Sequence, residues 1–258
     1  MHITVFGAAG WAGRAVLRNL AGRHEVRAVD LNAQAWEKLA DLDGPPPDGE
    51  VVQCDIRDYH AVDRCLEGTD AVIHLTVAFP GEKEKAEKGF SVNLHGLWNL
   101  LECCRVREIG PIVHVGSCQV EHPTEFLESH VRRHDGHAYA VTKRLQEEMC
   151  RQFHEAWGSR IIVLRPAQIV DLEKGLAHTR DRLGTGHWHT SSGWICRHDL
   201  AEACRRAAES TTIDHDILHI VGTPESDATC NASRAREVLG FEPKGDVERY
   251  RRRGGDGE

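Results

Sequence analysis

Short apolar runs alternate along this chain with stretches whose apolar residues recur every three to four positions. The runs Ile3–Phe6, Val26–Val29, Val51–Cys54, Ala71–Leu75, Ile112–Val115, Ile161–Leu164 and Ile217–Val221 predict strands. The stretches Trp11–Leu20, Ala33–Ala40, His60–Leu66, Ser91–Arg107, Ala138–Trp157 and Leu200–Glu209 predict helices. Strands that alternate with helices in this way join into a parallel sheet covered on both faces by right-handed crossovers. The fold class expected is therefore α/β, a Rossmann-like doubly wound parallel sheet. Asp43 to Gly49 is a glycine- and proline-rich loop, and Gly81 to Lys88 is a charged, solvated segment. After about Gly175 the alternation is lost, and the stretch from Gly184 to Trp194 is irregular.

Composition narrows the classes. A chain of 258 residues with 40% hydrophobic content supports an ordinary core in one large domain, or a domain with a small appendage. The net charge of −8 argues against nucleic acid as a partner. No apolar run approaches a membrane span, and the N-terminus has no signal-peptide layout. Nine cysteines, an odd number with no C-x-x-C spacing, fit free thiols in a reducing cytoplasm. His187, His189, Cys196 and His198 invite a zinc reading, but their H-x-H and C-x-H spacings differ from the usual structural sites, and no metal is expected.

Two segments carry chemistry. The first is Gly7-Ala8-Ala9-Gly10-Trp11-Ala12-Gly13, set between a predicted strand and a predicted helix. Gly7 permits a tight turn, Gly10 lets backbone approach a phosphate, and Gly13 lets the helix pack on the strand. The helix that begins at Trp11 and Ala12 offers free N–H groups and a partial positive charge, which suit a dinucleotide pyrophosphate. The next strand ends in Asp30, 17 residues after Gly13. A carboxylate there accepts the ribose hydroxyls of NAD and repels the 2′-phosphate of NADP. Arg14 and Arg27 leave the phosphate alternative open. A plain glycine turn and an N-cap aspartate are the structural alternatives.

The second segment is Tyr139-Ala140-Val141-Thr142-Lys143. Four residues apart on a helix, phenol and ammonium share one face. The ammonium is expected to favour phenolate and lower the tyrosine pKa, so that Tyr139 can take a proton from a substrate hydroxyl while its carbon gives hydride to NAD. Lys143 is expected to hold the nicotinamide ribose as well. Ser117, at the end of the fifth strand, can hydrogen-bond the substrate oxygen, and Asn93 can complete a polar relay. Packing or capping is the alternative for each.

Taken together these residues resemble the extended short-chain dehydrogenases/reductases, in their NAD-dependent epimerase/dehydratase branch. The resemblance runs from Met1 to about Pro243. It is carried by the glycine segment, Asp30, Cys54-Asp55-Ile56-Arg57-Asp58, Ile73-His74-Leu75, Val92-Asn93-Leu94, Val113-His114-Val115-Gly116-Ser117, Tyr139 to Lys143, Leu164-Arg165-Pro166 and Leu239 to Lys244. It implies that Asp55 and Ile56 contact adenine, and that Leu75, Thr76 and Val77 line the nicotinamide ribose side. It also implies a Ser117/Tyr139/Lys143 triad, with Ala167 and Gln168 near the nicotinamide. In size and layout the chain is similar to the shorter uronate dehydrogenases, from which it departs by a longer stretch between Arg165 and Trp194 and by Cys118 and Gln119 after Ser117. Ser117, Cys118, Gln119, Arg180 and Arg182 are then the substrate candidates, the arginines for a substrate carboxylate. The resemblance further implies a homodimer, through the stripes Leu94/Trp98/Leu101 and Leu97/Leu100/Cys104 and the face Val141/Leu145/Met149/Phe153; monomer core is the alternative. Residues 1–170 are expected to bind NAD, 171–248 to cover the substrate, and 249–258 to be a disordered tail. The expected activity is NAD-dependent oxidation of a hydroxyl or hemiacetal of a sugar or sugar acid. The alternatives are a sugar epimerase or dehydratase that retains its NAD, and a non-catalytic NAD-sensing protein.

Overall fold

The computed structural model describes residues 1–79, 86–118, 136–185 and 193–250. Seven strands, β1 (His2–Phe6), β2 (Glu25–Asp30), β3 (Glu50–Gln53), β4 (Ala71–His74), β5 (Ile112–Val115), β6 (Ile161–Pro166) and β10 (His215–Ile220), form one sheet. Its order is β10-β6-β5-β4-β1-β2-β3, and every pairing is parallel. The chain reverses its direction of travel across the sheet between β1 and β4, the switch point where doubly wound folds open a crevice.

Alternation along the strands explains why both faces are covered. Ile3, Val5, Ile73, Val113, Ile162 and Leu164 point into one core with α1 (Trp11–Leu20) and α8 (Arg197–Ala208). Phe6, Val72, Ile112, Ile161 and Val163 point into the other, against α4 (Tyr59–Cys65), α6 (Gly96–Val106) and α7 (Ala138–Trp157).

Three predicted elements differ. The helix expected over Ala33–Ala40 is two short ones, α2 (Ala33–Glu37) and α3 (Ala40–Asp43); Asn32 caps the first by accepting from the Ala35 N–H. The helix expected over Ser91–Arg107 is α5 (Ala86–Phe90), a π-helical turn Ser91–His95, and α6. Finally, the irregular region contains a second sheet of β7 (Gln168–Asp171), β8 (Leu176–Ala177) and β9 (Trp194–Cys196), ordered β8-β7-β9. Its own core is Val170, Leu172, Ala177, Leu183, Trp194, Cys196 and Val247. These strands are too short to give a periodic signal. α9 (Ser226–Thr229) and α10 (Ser233–Leu239) follow β10.

Among the described residues, no helix is long and apolar enough to cross a membrane.

Candidate active site

The glycine loop links β1 to α1. Gly7 has φ +80°, a left-handed conformation, and a Cβ on it would lie 2.8 Å from the Leu75 and Thr76 backbone. A Cβ on Gly13 would lie 2.3 Å from the Gly7 carbonyl oxygen. Neither position has room for a side chain. The Gly7 and Ala8 N–H groups donate to the Val29 carbonyl, at 3.0 and 3.1 Å, which ties the loop to β2. The first turn of α1 at Trp11, Ala12 and Gly13 holds no acidic residue, and its N–H groups have no partner within the helix. A tight, side-chain-free, electropositive cradle of this kind fits a pyrophosphate.

Asp30, at the end of β2, accepts from the Ala9 N–H at 2.9 Å and from the Leu31 N–H at 2.8 Å. Its carboxylate is thereby fastened beside the cradle. The two arginines that left NADP open are both committed elsewhere. Buried Arg14 donates to the carbonyls of Gly44, at 2.7 Å, and Trp36. Arg27 donates to the carbonyls of Cys65 and Glu67, at 2.7 and 2.8 Å, and pairs with Glu50. After β3, the Asp55 carboxylate is taken up by Arg57, which holds it below the usual carboxylate range. Ile56 is buried against Gly96, and its carbonyl accepts from Asn99 at 3.1 Å. Leu75, Thr76 and Val77 are half-buried beyond the end of β4. Ala167 is buried just past β6, its N–H on the Ile220 carbonyl at 3.1 Å.

Ser117, Tyr139 and Lys143 come together. Ser117, two residues beyond β5, is buried, and its hydroxyl shares a hydrogen bond with the Tyr139 phenol. Lys143 is buried one turn along α7, its Nζ donating to the Val115 carbonyl at 2.8 Å and lying 5.9 Å from the Tyr139 ring centroid. The expected lowering of the phenol by this ammonium is not what the structure shows. Burial pushes the Tyr139 phenol up to about 12, and the Ser117 hydrogen bond opposes that rise. Burial brings the Lys143 ammonium down to about 8, opposed by Glu147 and Cys150.

Asn93 sits in the π-helical turn, fully buried. Its side chain accepts from the Ala78 N–H at 2.8 Å and donates to the Ala78 carbonyl at 3.0 Å and to Thr142 at 3.2 Å. Its carbonyl accepts from Gln146 at 2.7 Å. These bonds fasten the segment after β4 to α7.

Of the substrate candidates, Cys118 adjoins Ser117 and is half-buried. Gln119 lies outside the described residues, as do His187 and His189. Arg180 is not brought to the Ser117–Tyr139 pair. It donates to Asp41 at 2.8 Å and to the Lys38 carbonyl, next to α3 on the β2 side of the sheet. Arg182 is exposed, at the bridge to Leu176. Cys196 packs in the core of the small sheet, and His198 lies 3.4 Å from Glu173. The described residues contain no group of three or more metal-ligating side chains.

Three features escaped the sequence analysis. Phe79 stacks on Tyr139, with centroids 5.1 Å apart and planes at 18°, while remaining 64% exposed. His74 and His114, opposite each other on β4 and β5, are buried with their Nδ1 atoms 2.9 Å apart. One Nδ1 must donate and the other accept, so the two rings carry opposite tautomers. Burial and the facing Lys143 lower both imidazoles, His74 to about 3, so both are neutral. Lastly, Glu147 and Arg165 form a fully buried ion pair behind Lys143. The spacing of Glu147, four residues after Lys143, is a signal that a search for facing charges would find.

Comparison with known proteins identifies a family and a shared fold. The profile of the NAD dependent epimerase/dehydratase family matches residues 3–173. A uronate dehydrogenase from Pseudomonas putida is 23% identical over 254 residues, covering 97% of this chain and 86% of that protein. An L-arabinose 1-dehydrogenase (NAD(P)(+)) from Haloferax volcanii is 22% identical over 259 residues, covering 94% of this chain and 96% of its own. The crystal structure of uronate dehydrogenase from Agrobacterium tumefaciens shares the fold, with a TM-score of 0.75 at 23% identity, covering 96% of this chain and 86% of that one.

Proposed function

Because the chain belongs to the NAD-dependent epimerase/dehydratase family, whose coenzyme is NAD, we propose that it oxidises a hydroxyl or hemiacetal carbon of a free sugar or sugar acid and releases NADH. The observation that carries this reading is the buried hydrogen bond between Ser117 and Tyr139, with Lys143 anchored one turn away on Val115. The names of the relatives, uronate and L-arabinose dehydrogenases, support a monosaccharide rather than a nucleotide sugar.

The coenzyme, when bound, supplies the hydride acceptor. Gly7, Gly10 and the first turn of α1 seat its pyrophosphate, and Asp30 accepts from its adenosine ribose. The commitment of Arg14 and Arg27 to backbone carbonyls supports NAD over NADP. Asp55, Ile56, Leu75, Thr76, Val77 and Ala167 surround the remainder, and Asn93 braces the segment beside them. Tyr139 takes the substrate hydroxyl proton, the Ser117 hydroxyl orients the substrate oxygen, and Lys143 stays cationic beside the phenol and the ribose. Residues 171–248 cover the substrate, with the small sheet starting at Gln168, directly after Ala167. The protein works as a homodimer.

An absorbance screen for NADH against free uronates, aldoses and small polyols tests the proposal. Net NADH release on a uronate or aldose is the expected result. Conversion of a nucleotide sugar with no net NADH would replace it with the epimerase reading. Tyr139→Phe should lower turnover roughly a thousandfold while NAD binding, followed by calorimetry, persists. Retained turnover would remove Tyr139 as the base.

A further inference from the structure

Tyr139, Lys143 and Glu147 follow one another at four-residue intervals on α7, so they lie along one face of the helix. Lys143 and Glu147 are buried there. Glu147 receives a two-pronged bond from Arg165, Nε to Oε1 at 2.8 Å and Nη2 to Oε2 at 2.7 Å, and neither side chain has any exposed surface. Arg165 comes from β6, the strand beside β5. The Glu147 Oε1 lies 3.2 Å from where a Cβ on Gly116 would stand, so the carboxylate rests on the backbone that leads into Ser117.

The charges around Lys143 make this placement consequential. A buried ammonium has lost its hydration and needs either an anion or hydrogen-bond acceptors. Val115 gives it one carbonyl. From α7 it is faced by Tyr139, Glu147 and Cys150. From β4 and β5 it is faced by the neutral His74 and His114, and Arg165 stands on β6 behind Glu147. Among these described groups Glu147 is the carboxylate, held in its ion pair by Arg165. It is also the largest influence opposing the loss of the Lys143 proton.

We propose that the Glu147–Arg165 pair is a positioning device for the active-site lysine: Arg165 fixes the carboxylate, and the fixed carboxylate keeps the Lys143 ammonium charged beside the phenol. Its catalytic meaning rests on the Ser117–Tyr139–Lys143 reading above. Its physical claim concerns the charges of the protein itself and can be tested apart from activity.

The test compares the wild-type protein with Glu147→Gln and with Glu147→Gln/Arg165→Gln, each checked for folding by thermal melting. The single change strands a buried guanidinium and can cost the fold. The double change strands no guanidinium and decides the matter in that case. The probe is the pH titration of the Lys143 side chain by NMR on protein labelled at lysine Cε, with the resonance assigned through Lys143→Arg. The midpoint should fall in both variants, by about one pH unit in the single, where Arg165 stays unopposed, and by less in the double. In active protein, the alkaline limb of kcat should move with it while KM for the sugar holds. An unmoved midpoint in the folded double variant overturns the proposal. A midpoint that falls while the alkaline limb of kcat stays in place overturns its catalytic part. A protein whose Lys143 responds as expected but which oxidises no sugar overturns the function proposed above and leaves this pairing intact; an active enzyme with an unresponsive Lys143 does the reverse.

Discussion

At Tyr139 two influences pull in opposite directions. Burial disfavours the phenolate and the Ser117 hydrogen bond favours it, with burial the larger, so the phenol stands at about 12. Part of that burial comes from Phe79, whose ring lies parallel to the phenol while its other side meets solvent. Phe79→Ala should therefore admit water to the phenol and lower its pKa, whereas Phe79→Tyr should keep the cover and leave it unchanged. Ultraviolet difference titration of tyrosinate, with Tyr139→Phe subtracted to isolate the signal, measures the shift. A rise, or no change, in Phe79→Ala would mean that the strand ends and α7, rather than Phe79, exclude the water. The sequence placed Tyr139 and Lys143 on their helix, and Ser117, expected at the end of the fifth strand, stands two residues beyond it. It could not supply the sign of the phenol shift, because that sign depends on how many atoms surround the ring, and those atoms come from segments far apart in the chain.

At the scale of elements, the glycine loop shows what local sequence can carry. Gly7, Gly10 and Gly13 lie within seven residues, and their spacing predicted a tight turn with the helix packed close on the strand; the structure adds that the crowding partner of Gly13 is the Gly7 carbonyl. Gly13→Ala places a methyl carbon 2.3 Å from that oxygen, so the loop must open or α1 must shift. The expected cost is about 1–3 kcal/mol of stability, by thermal denaturation, together with loss of NAD binding by calorimetry. The central strands β4, β5 and β6 were legible for a related reason: each is a short run buried along its whole length, and buried parallel strands have no solvent-facing side to obscure the run. The π-helical turn at Ser91–His95 was not legible. Its apolar spacing continues smoothly into α6, and its cause is tertiary: Asn93 is drawn inward to bond Ala78 and Thr142, while Gly96 closes on Ile56. The Glu147–Arg165 pair was hidden for the same reason, since its partners lie 18 positions apart on a helix and a strand that only the finished sheet brings together.

Over the whole molecule, one ionic cluster ties the small sheet to the glycine loop. Arg197, the first residue of α8, is buried, donates to Asp43 at 2.7 Å, pairs with Asp171 at 2.8 Å and stacks over Trp11 at 4.5 Å. Its guanidinium and Lys174 hold the Asp43 carboxyl at about 2 despite burial. An aspartate in the unfolded chain titrates near 3.9. The depressed folded value therefore contributes stability that is present above about pH 4 and lost as the pH falls toward 2. Asp43→Asn should lower the melting temperature at pH 7 and flatten its decline over that acid window; a decline as steep as wild type would assign the acid sensitivity to Glu202, which Arg205 and Arg206 also hold at about 2. The remaining surface question concerns α6 and α7. Leu97, Leu100, Leu101 and Cys104 are wholly buried, which makes those positions monomer core. Trp98 and Trp157 are each about half exposed, and both contact the buried Phe153, at 5.1 and 4.7 Å between centroids, so the two helices present exposed tryptophans seated on one buried ring. Leu145 adds a second exposed apolar position on α7. A pair of helices presenting such a face can meet its own copy across a two-fold axis, burying each tryptophan on the partner. Trp98→Glu puts a charge at the centre of that contact and gives up one edge contact with Phe153, so the folded monomer should survive with unchanged circular dichroism. Sedimentation velocity should then show wild type as a dimer and the variant as a monomer at micromolar concentration. A wild-type monomer would mean that this aromatic surface serves no self-association, and a dimer that withstands Trp98→Glu would place the interface on another face.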